Sequence, residues 1–248
     1  MRKRSLGDHY LDDIHAYRIN RDTFSIYIGG DPTLMGNEGA EPGVDFNMAD
    51  RFELNLDVLS SIDKHRPIVV NMSSCGGCWE EGMKMFSAIL ACANPITVVA
   101  TKHARSMTSL IPLAADKFII RPPATYMFHR GTYVIEALDE EVETEDNERR
   151  KAVEMMLRIY VARLREQGKF KTHSEARIKN MLLQSMREKI NVHLTADEAV
   201  AWGFADAIYL GWNLEEKEEY RATKVNIDRR HAMMEVLRKP ITLKFEIS

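Results

Sequence analysis

The stretch from Val69 to Arg130 constrains the fold more than any other, because it repeats one rhythm three times. A β-branched run (Ile68, Val69, Val70) enters the glycine pair Gly76–Gly77, and a helical pattern follows at once. A second run, Ile96 to Ala100, leads to Ser106, which opens a short apolar helix. A third, Lys117 to Arg121, precedes His129. Strand, turn and helix in succession specify an α/β layered domain, and in such folds the strand ends carry the chemistry. A Gly-Gly turn, an exposed serine and a later histidine at those ends point to acyl transfer.

The flanks extend this plan. Thr23 to Ile28 alternates as a strand that ends at Gly29-Gly30-Asp31-Pro32, and 33–47 reads as a loop. Met48–Lys64 and Trp79–Ala93 carry the apolar stripes of amphipathic helices. The acidic run over 138–148 reads as the solvated entry to a helix over 149–168, whose Val153, Met156, Leu157, Tyr160, Val161 and Leu164 recur at three and four residues. Another helix spans 174–187. Thr195 and Glu198 have capping-box spacing and Gly203 the place of a terminating glycine, which predicts a two-turn helix before a closing strand, Phe204 to Leu210. The tail holds one helical pattern, Asp228–Leu237, and a strand-like ITLKFEI after Pro240. The expected organisation is an N-terminal arm (1–22), a domain (23–212) with a protruding helical handle over about 130–170, and a C-terminal extension (213–248).

Composition removes other classes. A formal charge of -3 offers no global basic field, so no nucleic-acid partner is expected. No run of about 18 apolar residues occurs, so no membrane span is expected. The basic start lacks the apolar core of a secretory signal, and three cysteines in 248 residues suit a reducing compartment, so a cytoplasmic protein is expected. Cys75-Gly-Gly-Cys78 sits where a redox pair would, between strand and helix. A thioredoxin unit also needs a facing cis-proline, and Pro95 opens the next strand too early to supply it. Only Cys92 remains for a zinc site, so no metal or other cofactor is expected. Ser106 lies outside G-x-S-x-G and, alone, reads as a helix cap; His129 alone reads as structural. Placed after successive strands, the two gain weight together. His103 reads as a loop histidine, and Met107 with the other methionines as core filling.

Four segments carry a resemblance. Ser73-Ser-Cys-Gly-Gly77, Ala104-Arg-Ser106-Met107 through Ala115, and Tyr126-Met-Phe-His129 resemble the N-S-P-G-G, A-A-S-M-G-A and M-I-H-Q-P segments of ClpP, the proteolytic subunit of the Clp protease. Leu194-Thr195-Ala196-Asp-Glu198 through Asp206 resembles the family's L-S-A-x-E-A-x-x-Y-G-L-V-D, and order and rough spacing agree over 23–210. The resemblance implies the ClpP/crotonase-like fold of stacked βαβ units and a serine endopeptidase. In it Ser106 would be the nucleophile, His129 the base, and the N–H groups of Gly77 and Met107 the oxyanion hole. It also implies stacked heptameric rings, unfolded polypeptide as substrate, and an AAA+ unfoldase as partner, since no G-x-x-x-x-G-K-[ST] is present for ATP.

This chain departs from the family at several points. Asn191 stands where the family has Asp, which keeps an acceptor for the imidazole but loses its charge. Cys75 replaces the turn proline, Pro112 interrupts the nucleophile helix, and Arg130-Gly131-Thr132 replaces a glycine-richer segment. Gly36 to Gly43 reads as an insertion, and His193 as packed where the family has an aromatic. Two other readings stand beside the peptidase: a catalytically weak ring scaffold, and a crotonase-type acyl-CoA enzyme that needs neither Ser106 nor His129.

Overall fold

The β-branched runs become neighbouring parallel strands buried on both faces, as continuous apolar runs require. In a computed structural model, which describes residues 13–29, 43–133, 138–209 and 220–242, one sheet runs β1 (Ile19–Asn20), β2 (Ser25–Ile28), β3 (Ile68–Ser74), β4 (Ile96–Arg105), β5 (Lys117–Ile120) and β8 (Ala207–Ile208). The β1/β2 pair is antiparallel and the rest of this path is parallel. Helices α1 (Phe46–Ile62) and α2 (Trp79–Ala91) join its first strands and pack on each other. The α1 stripe buries Phe52, Leu56 and Leu59, and α2 buries Met85, Phe86, Ile89 and Leu90.

Strand β4 is twice as long as its hydropathy suggests, and it is the pivot of the fold. Thr97–Ala100 pair with β5, whereas His103–Arg105 pair with β6 (Thr125–Phe128), which in turn runs antiparallel to β7 (Val192–Leu194). Burial along β4 is continuous at first and alternates after Val98, so an apolar-run criterion stops too early. Strands β6 and β7 were not anticipated at all. They are four and three residues long, too short for a period to stand out.

After Ser106 come a single α-helical turn, α3 (Met107–Leu110), and a 3-10 turn over Ile111–Ala114. Pro112 lies at the start of that second turn, where a missing N–H costs nothing, so it bends no helix. Helix α4 (Asp139–Glu166) absorbs the acidic run into its own first turns rather than following it. Residues 141–145 are exposed; Met156, Leu157, Tyr160, Arg163 and Leu164 are buried. α5 (Glu175–Lys189) is capped by Ser174. α6 (Ala196–Trp202) carries the expected capping box, with Thr195 and Glu198 exchanging bonds of 2.8 and 3.2 Å and Gly203 at φ +105°. The closing strand shrinks to Ala207–Ile208, and Leu210 lies outside the described residues.

α7 (Ile227–Arg238) packs on α4 and buries Arg229, Arg230 and Met233. The described part of the C-terminal extension is therefore bolted to the domain. Of the N-terminal arm, Ile19–Asn20 add a strand to the sheet, while residues 1–12, most of the proposed insertion (36–42) and the end of the tail (243–248) lie outside the described residues.

Candidate active site

Ser106 leaves β4 with φ +52° and ψ −124°, a conformation that side-chain-bearing residues rarely adopt. Holding a residue there costs about 1–3 kcal/mol, and hydrogen bonds on both sides over-determine it. Its N–H donates to Met127 O (2.9 Å), and its carbonyl accepts from Ser109 N (2.9 Å) and Ser109 Oγ (2.6 Å). Thr108 Oγ1 sits 2.8 Å from the Ser74 and Arg105 carbonyls and accepts from Arg105 N. Beneath, Tyr126 OH donates to Ser109 O (2.8 Å) and Tyr160 OH meets Ser109 Oγ at 2.6 Å. Burial pushes both phenols well above their ordinary pKa, so they stay protonated. This polar floor ties α4 to the turn that presents Ser106.

His129 follows β6. The β4/β6 register sets Arg105 opposite Met127, so both strands end at one edge and deliver their next residues side by side. His129 Nε2 lies 2.7 Å from Ser106 Oγ. Burial lowers the imidazole pKa below its ordinary 6.5, and the Asn191 side chain beside the ring acts in the opposite direction. A raising effect is that of an amide oxygen accepting a ring N–H, which favours the protonated ring. With Nε2 turned to the serine, Nδ1 is the nitrogen left for Asn191. That residue is exposed, at the entrance to β7.

The glycine pair closes the other side. Gly76 and Gly77 have φ of +109° and +146°. A Cβ on Gly76 would stand 2.5 Å from Ser106 Cβ, and one on Gly77 would overlap the backbone of Val44. Val44 bridges across the turn, donating to Gly76 O (2.5 Å) and accepting from Cys78 N (2.8 Å). Glycine is thus required by packing from two directions. The N–H groups of Gly77 and Met107 make no hydrogen bond among the described residues. Both residues line, with Ser106 and His129, a cleft of about 720 Å³ between the start of α2 and α4. Met83, Leu110, Met155 and Met156 give that cleft an apolar side.

Of the five residues singled out by sequence, Gly77, Ser106, Met107 and His129 line this cleft, and Asn191 approaches through the pairing of Val192 with Phe128, beside His129. Thr108, Ser109 and Tyr160 were missed. The first two sit close to the motif, but nothing local marks Tyr160, which comes from a helix 51 positions after Ser109. Two other expectations, for His103 and His193, need correction. His103 is in strand β4 rather than a loop, and His193 is exposed on β7 rather than packed, because β7 turns that side outward. Cys75 and Cys78 form no disulfide; burial pushes the Cys78 thiol up, and its Sγ donates to Glu80 Oε2 (3.1 Å). A redox pair at a helix start needs the opposite shift.

A family profile described as Clp protease matches residues 40–211. Among solved structures, an asparagine-to-aspartate mutant of ClpP1 from Listeria monocytogenes superposes with a TM-score of 0.61 at 23% identity, over 79% of this chain and 95% of that one. A comparison with curated proteins finds no match. Among the described residues, no helix is long and apolar enough to cross a membrane.

Proposed function

The chain belongs to the Clp protease family, and on that premise we propose that it is a serine endopeptidase working through Ser106 and His129. The observation that carries this reading is the 2.7 Å contact between His129 Nε2 and Ser106 Oγ at a turn held in a rare backbone conformation. A serine hydroxyl is a weak nucleophile until a neutral base takes its proton. Burial keeps the imidazole neutral, which suits that role. Ser106 Oγ attacks the peptide carbonyl carbon as its proton passes to Nε2. The resulting oxyanion is held by the N–H groups of Gly77 and Met107, whose lack of a hydrogen-bond partner among the described residues supports this assignment. Collapse expels the amine with the proton from His129, and water then releases the acyl group by the same path in reverse.

Asn191 orients the ring but brings no charge to balance the imidazolium that forms, so the rate is modest. Members of the family form oligomeric rings; for this chain we assign stacked heptamers, unfolded polypeptide as substrate, an AAA+ unfoldase as supplier, and a cytoplasmic location.

A fluorophosphonate probe tests the reading. Covalent label mapped to Ser106 alone, and lost in Ser106→Ala, is the expected result. A folded oligomer with no label at Ser106 overturns it in favour of the scaffold. Acyl-CoA turnover that survives both Ser106→Ala and His129→Ala overturns it in favour of the crotonase-type enzyme.

A further inference from the structure

The C-terminal extension reaches the cleft that holds Ser106 and His129, because Ile241 is one of its lining residues. The path to that point is fixed at three places. Asn226 N donates to buried Asp116 (2.6 Å), and the Asn226 side chain caps α7 by accepting from Arg229 N (3.1 Å). Arg229 then bonds Asp206, Glu166 and the carbonyls of Ala115 and Asp116, while Arg230 bonds Asp116 and Asn94 O. At the far end of the helix, Arg158 of α4 donates to Lys239 O (3.0 Å) and Pro240 O (3.3 Å). The two residues before Ile241 are thus held against the helix that supplies Met155 to the cleft, one turn before Arg158.

We propose that Ile241 is a specificity-determining wall of the substrate cleft, delivered there by the C-terminal extension. This rests on the peptidase reading and deepens it. An apolar branched side chain lining the same cleft as Met155 and Met156 limits the size of the substrate side chain that the cleft accepts beside Ser106. Small changes in such a wall discriminate substrates by roughly 10–200-fold per methylene in a closed pocket. This cleft is open on one side, so a smaller effect follows.

The test compares the full-length protein with Ile241→Ala and with Arg158→Gln, which releases the Lys239 and Pro240 carbonyls. Each is assayed with fluorogenic peptides that differ only in the residue on the acyl side of the scissile bond, from Ala through Leu to Phe. A small fluorophosphonate serves in parallel to measure the reactivity of Ser106. The expected result is a rise of about fivefold or more in the Phe-to-Ala ratio of kcat/KM in both variants, expressed in KM, with Ser106 labelling rates unchanged. Equal ratios in all three proteins, with labelling intact, overturn the proposal and leave the peptidase reading standing. Absence of both labelling and hydrolysis in the unsubstituted protein overturns the reading and this inference together.

Discussion

His129 titrates under two opposing influences, burial that lowers its pKa and Asn191 that raises it, and burial is the larger. A general base works only when neutral, so a pKa below 6.5 keeps this one competent into mildly acidic solution. The acid limb of kcat/KM against pH is therefore expected below 6.5. Replacing Asn191 with Asp places a negative charge beside the ring, which favours the imidazolium. The acid limb should move to higher pH, and kcat should rise by at least about tenfold, a fraction of the roughly 10⁴-fold that the reverse change costs in the chymotrypsin-type triad. Measured pH profiles of the two proteins check this. Identical limbs would show that Asn191 does not touch the ring in the working enzyme.

At the scale of elements, the contact between α7 and the domain depends on buried charge. Arg163 is fully buried on α4, Arg229 is 4% exposed on α7, and both meet Asp206 after α6. Burial alone would raise the Asp206 pKa, but the two guanidiniums outweigh it and hold the carboxyl at about 2. A folded-state value below the unfolded one, near 3.9, means that this stabilisation is complete above the unfolded value. It is lost as pH falls through about 2. Removing one partner from such a cluster costs about 3–5 kcal/mol. Arg229→Ala should fall near about 3 kcal/mol, the lower end of that range, because Arg163 still faces Asp206. Urea unfolding at neutral pH measures it, and Asp206→Asn should flatten the loss of stability between pH 4 and 2. An unchanged midpoint in Arg229→Ala would mean that α7 is not docked in solution.

At the scale of the whole molecule, α1 is apolar on two faces. Phe52, Leu56 and Leu59 enter the core, while Leu54, Val58 and Ile62 repeat every four residues on the outside and are 57, 43 and 54% exposed. A contiguous apolar stripe on a helix surface marks an interaction face, which fits the ring assembly proposed above. Sedimentation velocity should give a species far larger than a monomer. The double substitution Leu54→Glu and Val58→Glu should shift it towards smaller species without unfolding the chain. Unchanged sedimentation would remove α1 from the subunit interface.

The sequence by itself determined what depends on neighbours a few residues away. β-branched runs specified the parallel strands, the Thr195–Glu198 box and Gly203 bounded α6, and serine then histidine after successive strands marked the site. Helix caps and strand periods act over one or two turns, so a local pattern suffices to read them. Only the tertiary structure decided the rest, because it turns on which distant groups arrive at the same place. The pairing of β4 with β6 brings Ser106 to His129 across 23 positions, and β7 joins them to Asn191. Nothing local marks Arg229 and Arg230 as buried; Asp116, Glu166 and Asp206 converge on them, from up to 114 residues away. A charge is buried only where such partners are assembled, and that assembly is what carries Ile241 to the cleft.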